Sequence, residues 1–162
     1  MNEFPATASL APSEVSRPDT LAIHPAGGGM AQTKPRRSLF ILCIDDDPGV
    51  RELLTVCLAQ FEHRVMVASG GKDGLEMFRA AQLNGQPYDV VITDMGMPDI
   101  DGRQVARTIK AESPNTPIIM LTGWGRSVRE DGDTAPAEDI VVDKPPRIHE
   151  LNELLLRMAK PA

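Results

Sequence analysis

An α/β fold, with a five-stranded parallel sheet and helices on both faces, is what this sequence predicts. Three observations carry the prediction. Five short apolar runs recur along the chain, segments of helical periodicity separate most of them, and the runs are continuous rather than alternating. Continuous runs suit strands buried on both faces, and strand–helix–strand alternation joins parallel neighbours by right-handed crossovers.

Leu39 to Ile44 reads as the first strand and stops at Asp45. A helical stripe follows, formed by Val50, Leu53, Leu54, Cys57, Leu58 and Phe61. Asp47 suits the cap of that helix and Pro48 its first turn, where a fixed φ and a missing N–H cost little. Arg64 to Ala68 reads as the second strand. Leu75 and Phe78 mark a second helix, closed by a turn over Asn84 to Pro87. Val90 to Thr93 is the third strand and runs into a Gly- and Pro-containing loop from Met95 to Gly102. Val105 and Ile109 turn a third helix inward until Ser113 to Thr116 break it. Ile118 to Thr122 and Ile140 to Asp143 are the fourth and fifth strands, and Leu151, Leu154, Leu155 and Met158 give a closing helix. Between Arg126 and Glu138 only Val128 is a good apolar anchor, while Gly132, Asp133 and Pro136 interrupt the period. A fourth helix there is expected to be short or irregular.

The chain has 162 residues, enough for one domain of ordinary size and too few for two. Residues 1–37 are rich in Pro, Ala, Ser, Thr and Gly and show no apolar period. Such a stretch buries too little surface to offset the entropy of ordering, so a disordered extension is expected ahead of a domain spanning 38–160. Met30, at the head of a short lead into the first strand, is a second candidate start. With 17 Lys and Arg against 23 Asp and Glu, the net charge is −6. That argues against direct nucleic-acid binding, which needs a clustered basic surface. The longest apolar run, Leu39 to Ile44, falls far short of the roughly 20 residues that cross a bilayer, so no membrane span is expected. The first 30 residues also lack the basic start and apolar middle of a secretory signal, so none is expected there. Cys43 and Cys57 occupy apolar positions of a strand and a helix; no disulfide framework follows, and a cytoplasmic, reducing environment is expected.

Ligands of open parallel sheets bind outside the carboxyl ends of the strands, near the point where strand order reverses. Those ends carry Asp45 and Asp46, Asp94, Thr122 and Lys144, each at or just past the end of an apolar run. Acids after strands often cap helices, and Asp47 fits that plain role. Three carboxylates at one rim do not: at about 4 Å and an effective dielectric near 20, each like-charged pair costs about 4 kcal/mol. A hard divalent cation with oxygen ligands compensates, and two or three carboxylates with waters suit octahedral Mg²⁺. Lys144 adds a compact positive charge for a phosphate oxygen, and Thr122 a hydroxyl. A carboxylate nucleophile, a cation, a lysine and a hydroxyl make a phosphoryl-transfer site. His24, His63 and His149 lack metal-ligand spacing and are expected at the surface.

Four segments in order then resemble the receiver domain of two-component response regulators: Ile-Leu-Cys-Ile-Asp-Asp-Asp-Pro (Ile41 to Pro48), Asp-Met-Gly-Met-Pro-Asp-Ile-Asp-Gly (Asp94 to Gly102), Leu121 to Gly123, and Lys144-Pro145. The resemblance covers about Ser38 to Lys160. It implies a flavodoxin-like, doubly wound sheet of strand order 2-1-3-4-5. It implies that Asp94 accepts a phosphoryl group from a sensor histidine kinase or histidine phosphotransfer protein. Asp45 and Asp46 match the acidic pair at Mg²⁺, with Asp46, Asp94 and the backbone carbonyl of Gly96 as direct ligands. Thr122 and Lys144 match the residues that meet the phosphoryl group, Gly123 the small position that leaves it room, and Lys144-Pro145 a cis peptide bond. Gly96 and Trp124 stand where the family sets the lifetime of its acyl phosphate. The implied protein is a phosphoacceptor with no classical enzyme activity. Because the sequence stops shortly after the closing helix, signalling through an unknown downstream protein target is expected.

Three departures qualify the resemblance. Val141 stands where the family often has a switching Tyr or Phe, Pro146 where a Phe commonly follows the Lys-Pro pair, and the Arg126 to Glu138 segment is weakly helical. A pseudo-receiver interaction module that takes no phosphate is therefore one alternative. A haloacid-dehalogenase-like phosphatase is another, since Asp45 and Asp47 have the Asp-x-Asp spacing. However, Pro48-Gly49 replaces its usual continuation, and Asp94 would then have no role.

Overall fold

The structure is a computed structural model that describes residues 37–123 and 138–159. The expected N-terminal extension apart from its last residue, Trp124, and the Arg126 to Glu138 segment apart from its last residue lie outside the described residues. In chain order the elements are β1 (Phe40–Ile44), α1 (Pro48–Ala59), β2 (Arg64–Ala68), α2 (Gly71–Leu83), β3 (Val90–Asp94), α3 (Gly102–Glu112), β4 (Ile118–Thr122), β5 (Ile140–Asp143) and α4 (Ile148–Met158). The strands form one sheet of order β2-β1-β3-β4-β5, with every pairing parallel. Strand order reverses between β1 and β3, so the crevice at their carboxyl ends is the natural ligand position.

Side chains alternate across the sheet and split the core into two layers. Leu42 and Ile44 of β1 pack with Leu75 and Phe78 of α2 and Val105 and Ile109 of α3. Ile41 and Cys43 pack with Leu54 and Leu58 of α1 and Leu151 and Leu155 of α4. Because both faces of the central strands β1, β3 and β4 are covered, these read as nearly continuous apolar runs, while the edge strand β2 is largely exposed. Cys43 is wholly enclosed. Burial, reinforced by the Asp45 carboxylate, pushes its thiol up to about 12, so it serves as a small apolar side chain.

Helix ends follow local chemistry. Asp47 Oδ1 accepts from the N–H groups of Gly49 (2.7 Å) and Val50 (3.4 Å), and Pro48 opens α1. Asp101 caps α3 by accepting from Gln104 N–H at 2.7 Å. Gly85, with φ of 68°, turns the chain after α2 in the left-handed region that glycine enters without penalty.

Two expectations need correction. Leu53 is 41% exposed, and Phe61 lies beyond the end of α1. The buried face of that helix is narrower than its apolar stripe: Leu54 and Leu58 are its fully buried residues over the sheet, with Val50 partly buried beside them. His63 is buried, not superficial. It occupies the turn between α1 and β2, where Nδ1 accepts from Leu39 N–H at 3.2 Å and Nε2 donates to Asn152 Oδ1 at 2.7 Å. The turn folds back on the start of β1, and those two bonds satisfy the enclosed imidazole.

Candidate functional site

Four strand ends converge at the carboxyl rim. Asp45 follows β1 and is fixed by its N–H bond to the Ala68 carbonyl at the end of β2 (3.2 Å). Its carboxylate is almost wholly buried: Oδ1 accepts from Asp47 N–H at 2.9 Å and Oδ2 from Lys144 Nζ at 2.7 Å. Asp94 closes β3, 7% exposed, with Oδ1 at 2.9 Å from the same Lys144 nitrogen. Asp46 is exposed, and one carboxylate oxygen from each of Asp45, Asp46 and Asp94 lies within 4.8 Å of the others. Lys144 follows β5 and is set by its N–H bond to the Thr122 carbonyl at 2.7 Å; the Lys144-Pro145 bond is cis. Thr122 is buried at the end of β4. The structure thus brings together Asp45, Asp46, Asp94 and Lys144, with Thr122 on the strand beside them.

The electrostatics leave a surplus of negative charge. Burial lifts the Asp45 carboxyl above its ordinary range, and Asp94 pushes the same way, against the Lys144 ammonium and the Asp47 N–H. For Lys144, burial favours the neutral amine, but the hydrogen bonds and charges of Asp45 and Asp94 outweigh it and hold the group above its usual range. One ammonium is paired with two of the three clustered carboxyls, and Asp46 adds a third negative group beside them. A hard, oxygen-only donor set with an uncompensated charge is what Mg²⁺ takes, so these residues fit that ion. Bound there, it would reverse the upward pressure on Asp45.

The loop after β3 shapes the mouth. Met95 N–H bonds to the Leu121 carbonyl and Gly102 N–H to the Met95 carbonyl, while Asp99 adopts φ of 68°. Gly96 is exposed, and a Cβ there would meet open space. Gly102 is the opposite: a Cβ would overlap the Asp94 carbonyl oxygen and crowd Met95 Cα. Glycine is required at position 102 by close approach, not by an unusual φ.

Sequence reasoning missed Arg51. From α1, its Nη1 donates to the Asp45 carbonyl at 2.7 Å. The available signal was a basic residue one turn beyond the Asp47 cap, on the helix that starts at the rim.

Comparison with known proteins agrees with the fold. The model of the response regulator receiver domain matches residues 41–156. Response regulator MprA of Mycobacterium sp. (strain KMS) is 35% identical over 119 residues, 73% of this chain and 48% of that protein. Transcriptional regulatory protein GlrR of Escherichia coli (strain K12) is 36% identical over 85 residues, 52% of this chain and 18% of that one. The chain thus spans about half or less of these curated relatives. Among solved structures, response regulator TrrA from Thermotoga maritima, in complex with Mg²⁺ and BeF, superposes with a TM-score of 0.63 at 31% identity, covering 74% of this chain and 98% of that one. A receiver domain protein from Clostridium thermocellum gives 0.61 at 28% identity, covering 74% and 93%. This chain belongs to the response regulator receiver domain family of two-component systems.

Proposed function

We propose that this receiver domain is a phosphoacceptor in a two-component phosphorelay, taking a phosphoryl group onto Asp94 from the phosphohistidine of a sensor histidine kinase or histidine phosphotransfer protein. The observation that carries the reading is the convergence of Asp45 and Asp94 on Lys144 Nζ, at 2.7 and 2.9 Å, beside Asp46.

An Asp94 carboxylate oxygen attacks phosphorus in line, a new O–P bond forms, and the N–P bond to the donor imidazole breaks. Lys144 already touches Asp94 and pairs with a phosphoryl oxygen once the acyl phosphate forms. Thr122 offers its hydroxyl to the same group. Asp45, Asp46, Asp94 and the Gly96 carbonyl would hold Mg²⁺, which supplies charge neutralisation for the incoming phosphoryl oxygens. The TrrA structure, a complex with Mg²⁺ and BeF, supports that assignment by analogy. Output passes by protein–protein contact to a downstream target in the cytoplasm, with no direct nucleic-acid or membrane contact by this domain.

Acetyl phosphate with Mg²⁺ tests the reading. The intact mass should gain one phosphoryl group, the gain should vanish in Asp94→Asn, and it should survive, slowed, in Asp45→Asn. Loss in Asp45→Asn with retention in Asp94→Asn would instead favour phosphatase chemistry with Asp45 as nucleophile. A second reading, an interaction module that takes no phosphate, draws on Val141, a small side chain against the α2/α3 layer of the core where the family often has an aromatic. An unlabelled wild-type protein under these conditions would favour it.

A further inference from the structure

The Arg51 contact has no part in the phosphoryl chemistry above. Its acceptor, the Asp45 carbonyl, belongs to the peptide unit that joins Asp45 to Asp46. In an extended strand, adjacent side chains point to opposite faces. Here β1 ends at Ile44, and the carboxylates of Asp45 and Asp46 instead gather with Asp94 within 4.8 Å. The chain must therefore turn at that peptide. Two hydrogen bonds hold the turn: Asp47 N–H to Asp45 Oδ1 at 2.9 Å, and Arg51 Nη1 to the Asp45 carbonyl at 2.7 Å. The first uses a carboxylate that must also face a cation. The second is independent of it. Among the described residues no carboxylate lies within ion-pair distance of Arg51, although three acids stand at the start of its helix.

We propose that Arg51 is a positioning residue for the divalent-cation site: it clamps the Asp45–Asp46 peptide in the orientation that makes the carboxylates converge. The inference rests on the reading of the rim as a Mg²⁺ site and assigns a residue outside the ligand set to its assembly. Charge and clamp predict opposite signs. Removing a nearby positive charge strengthens binding of a dication by Coulomb's law, whereas removing the clamp weakens it by letting the ligands splay.

The experiment is a Mg²⁺ titration of the full chain followed by backbone amide NMR shifts, with thermal unfolding in EDTA alongside. Arg51→Met keeps the aliphatic stem and removes charge and donors. It should bind Mg²⁺ about tenfold more weakly, the scale typical of outer-shell partners. Its Asp46 amide should be displaced before any Mg²⁺ is added, while the melting temperature in EDTA stays near that of wild type. Arg51→Lys, which retains a donor and the charge, should recover most of the affinity. Wild-type affinity or tighter binding in Arg51→Met overturns the clamp while leaving the metal site standing. A wild-type protein blind to Mg²⁺ overturns the site and the clamp together.

Discussion

The two rims of the sheet use the same residue type in opposite ways. At the amino ends, Asp89 Oδ2 accepts from Phe40 N–H and Asp139 Oδ2 from Ile118 N–H, both at 2.7 Å. Each also has a cation: Lys110 at 2.8 Å from Asp139 and Arg37 at 4.0 Å from Asp89. Each carboxylate there closes the gap between two strands and is satisfied. At the carboxyl ends, Asp45 and Asp94 share one lysine, and a third carboxyl, Asp46, stands beside them. Aspartate is a fastener at one edge and an unmet demand for positive charge at the other, and only the second arrangement calls for a ligand.

That contrast can be broken or sharpened by substitution. The largest stability loss is expected at Gly102→Ala, whose methyl must displace the Asp94 main chain: about 3 kcal/mol by urea denaturation, together with slower acetyl phosphate labelling. Labelling at the wild-type rate would show that the rim tolerates the shift. Asp139→Ala strands the N–H of buried Ile118 and should cost about 2 kcal/mol by the same measurement. Little of that belongs to the partly exposed Lys110 pair, so Lys110→Met should cost well under half as much. His63→Phe, which keeps a ring but deprives Leu39 N–H of its acceptor, should cost about 1.5 kcal/mol. The smallest effect has the opposite sign. Asp46→Asn relieves repulsion at the carboxyl rim and should raise the melting temperature in EDTA by about 2 °C, a gain that excess Mg²⁺ reverses by stabilising the wild type more. A fall in EDTA would mean that the acids at this rim are already balanced.

Much of this was legible in the sequence because burial on both faces leaves a plain signature. Each strand is built round a short apolar run, and the polar residues at or just past its end are delivered to the rim, which is why Asp45, Asp94, Thr122 and Lys144 could be named together. Other features depend on direction, which periodicity records poorly. Leu53 belongs to the apolar stripe of α1 but faces outward, since a stripe sets the mean facing of a helix and not the limits of its contact. His63 sits in a turn, where one residue has no period, and its burial follows from long-range bonds to Leu39 and Asn152. Arg51 reads as an ordinary solvent-facing helix residue until the chain is folded. Gly102 is recognisable as a turn residue, but the pressure against it comes from Asp94, eight positions earlier.

With nothing but hydrogen on its α-carbon, Gly102 lets the first turn of α3 rest directly on the main chain of Asp94. Strand and helix are therefore seated without a cushion, and the Gly102 to Met95 bond closes the intervening loop into a short, stiff ring. A side-chain layer can absorb a displacement by changing rotamer; a bare backbone junction has no such slack, so this helix registers any shift of that carbonyl at first hand.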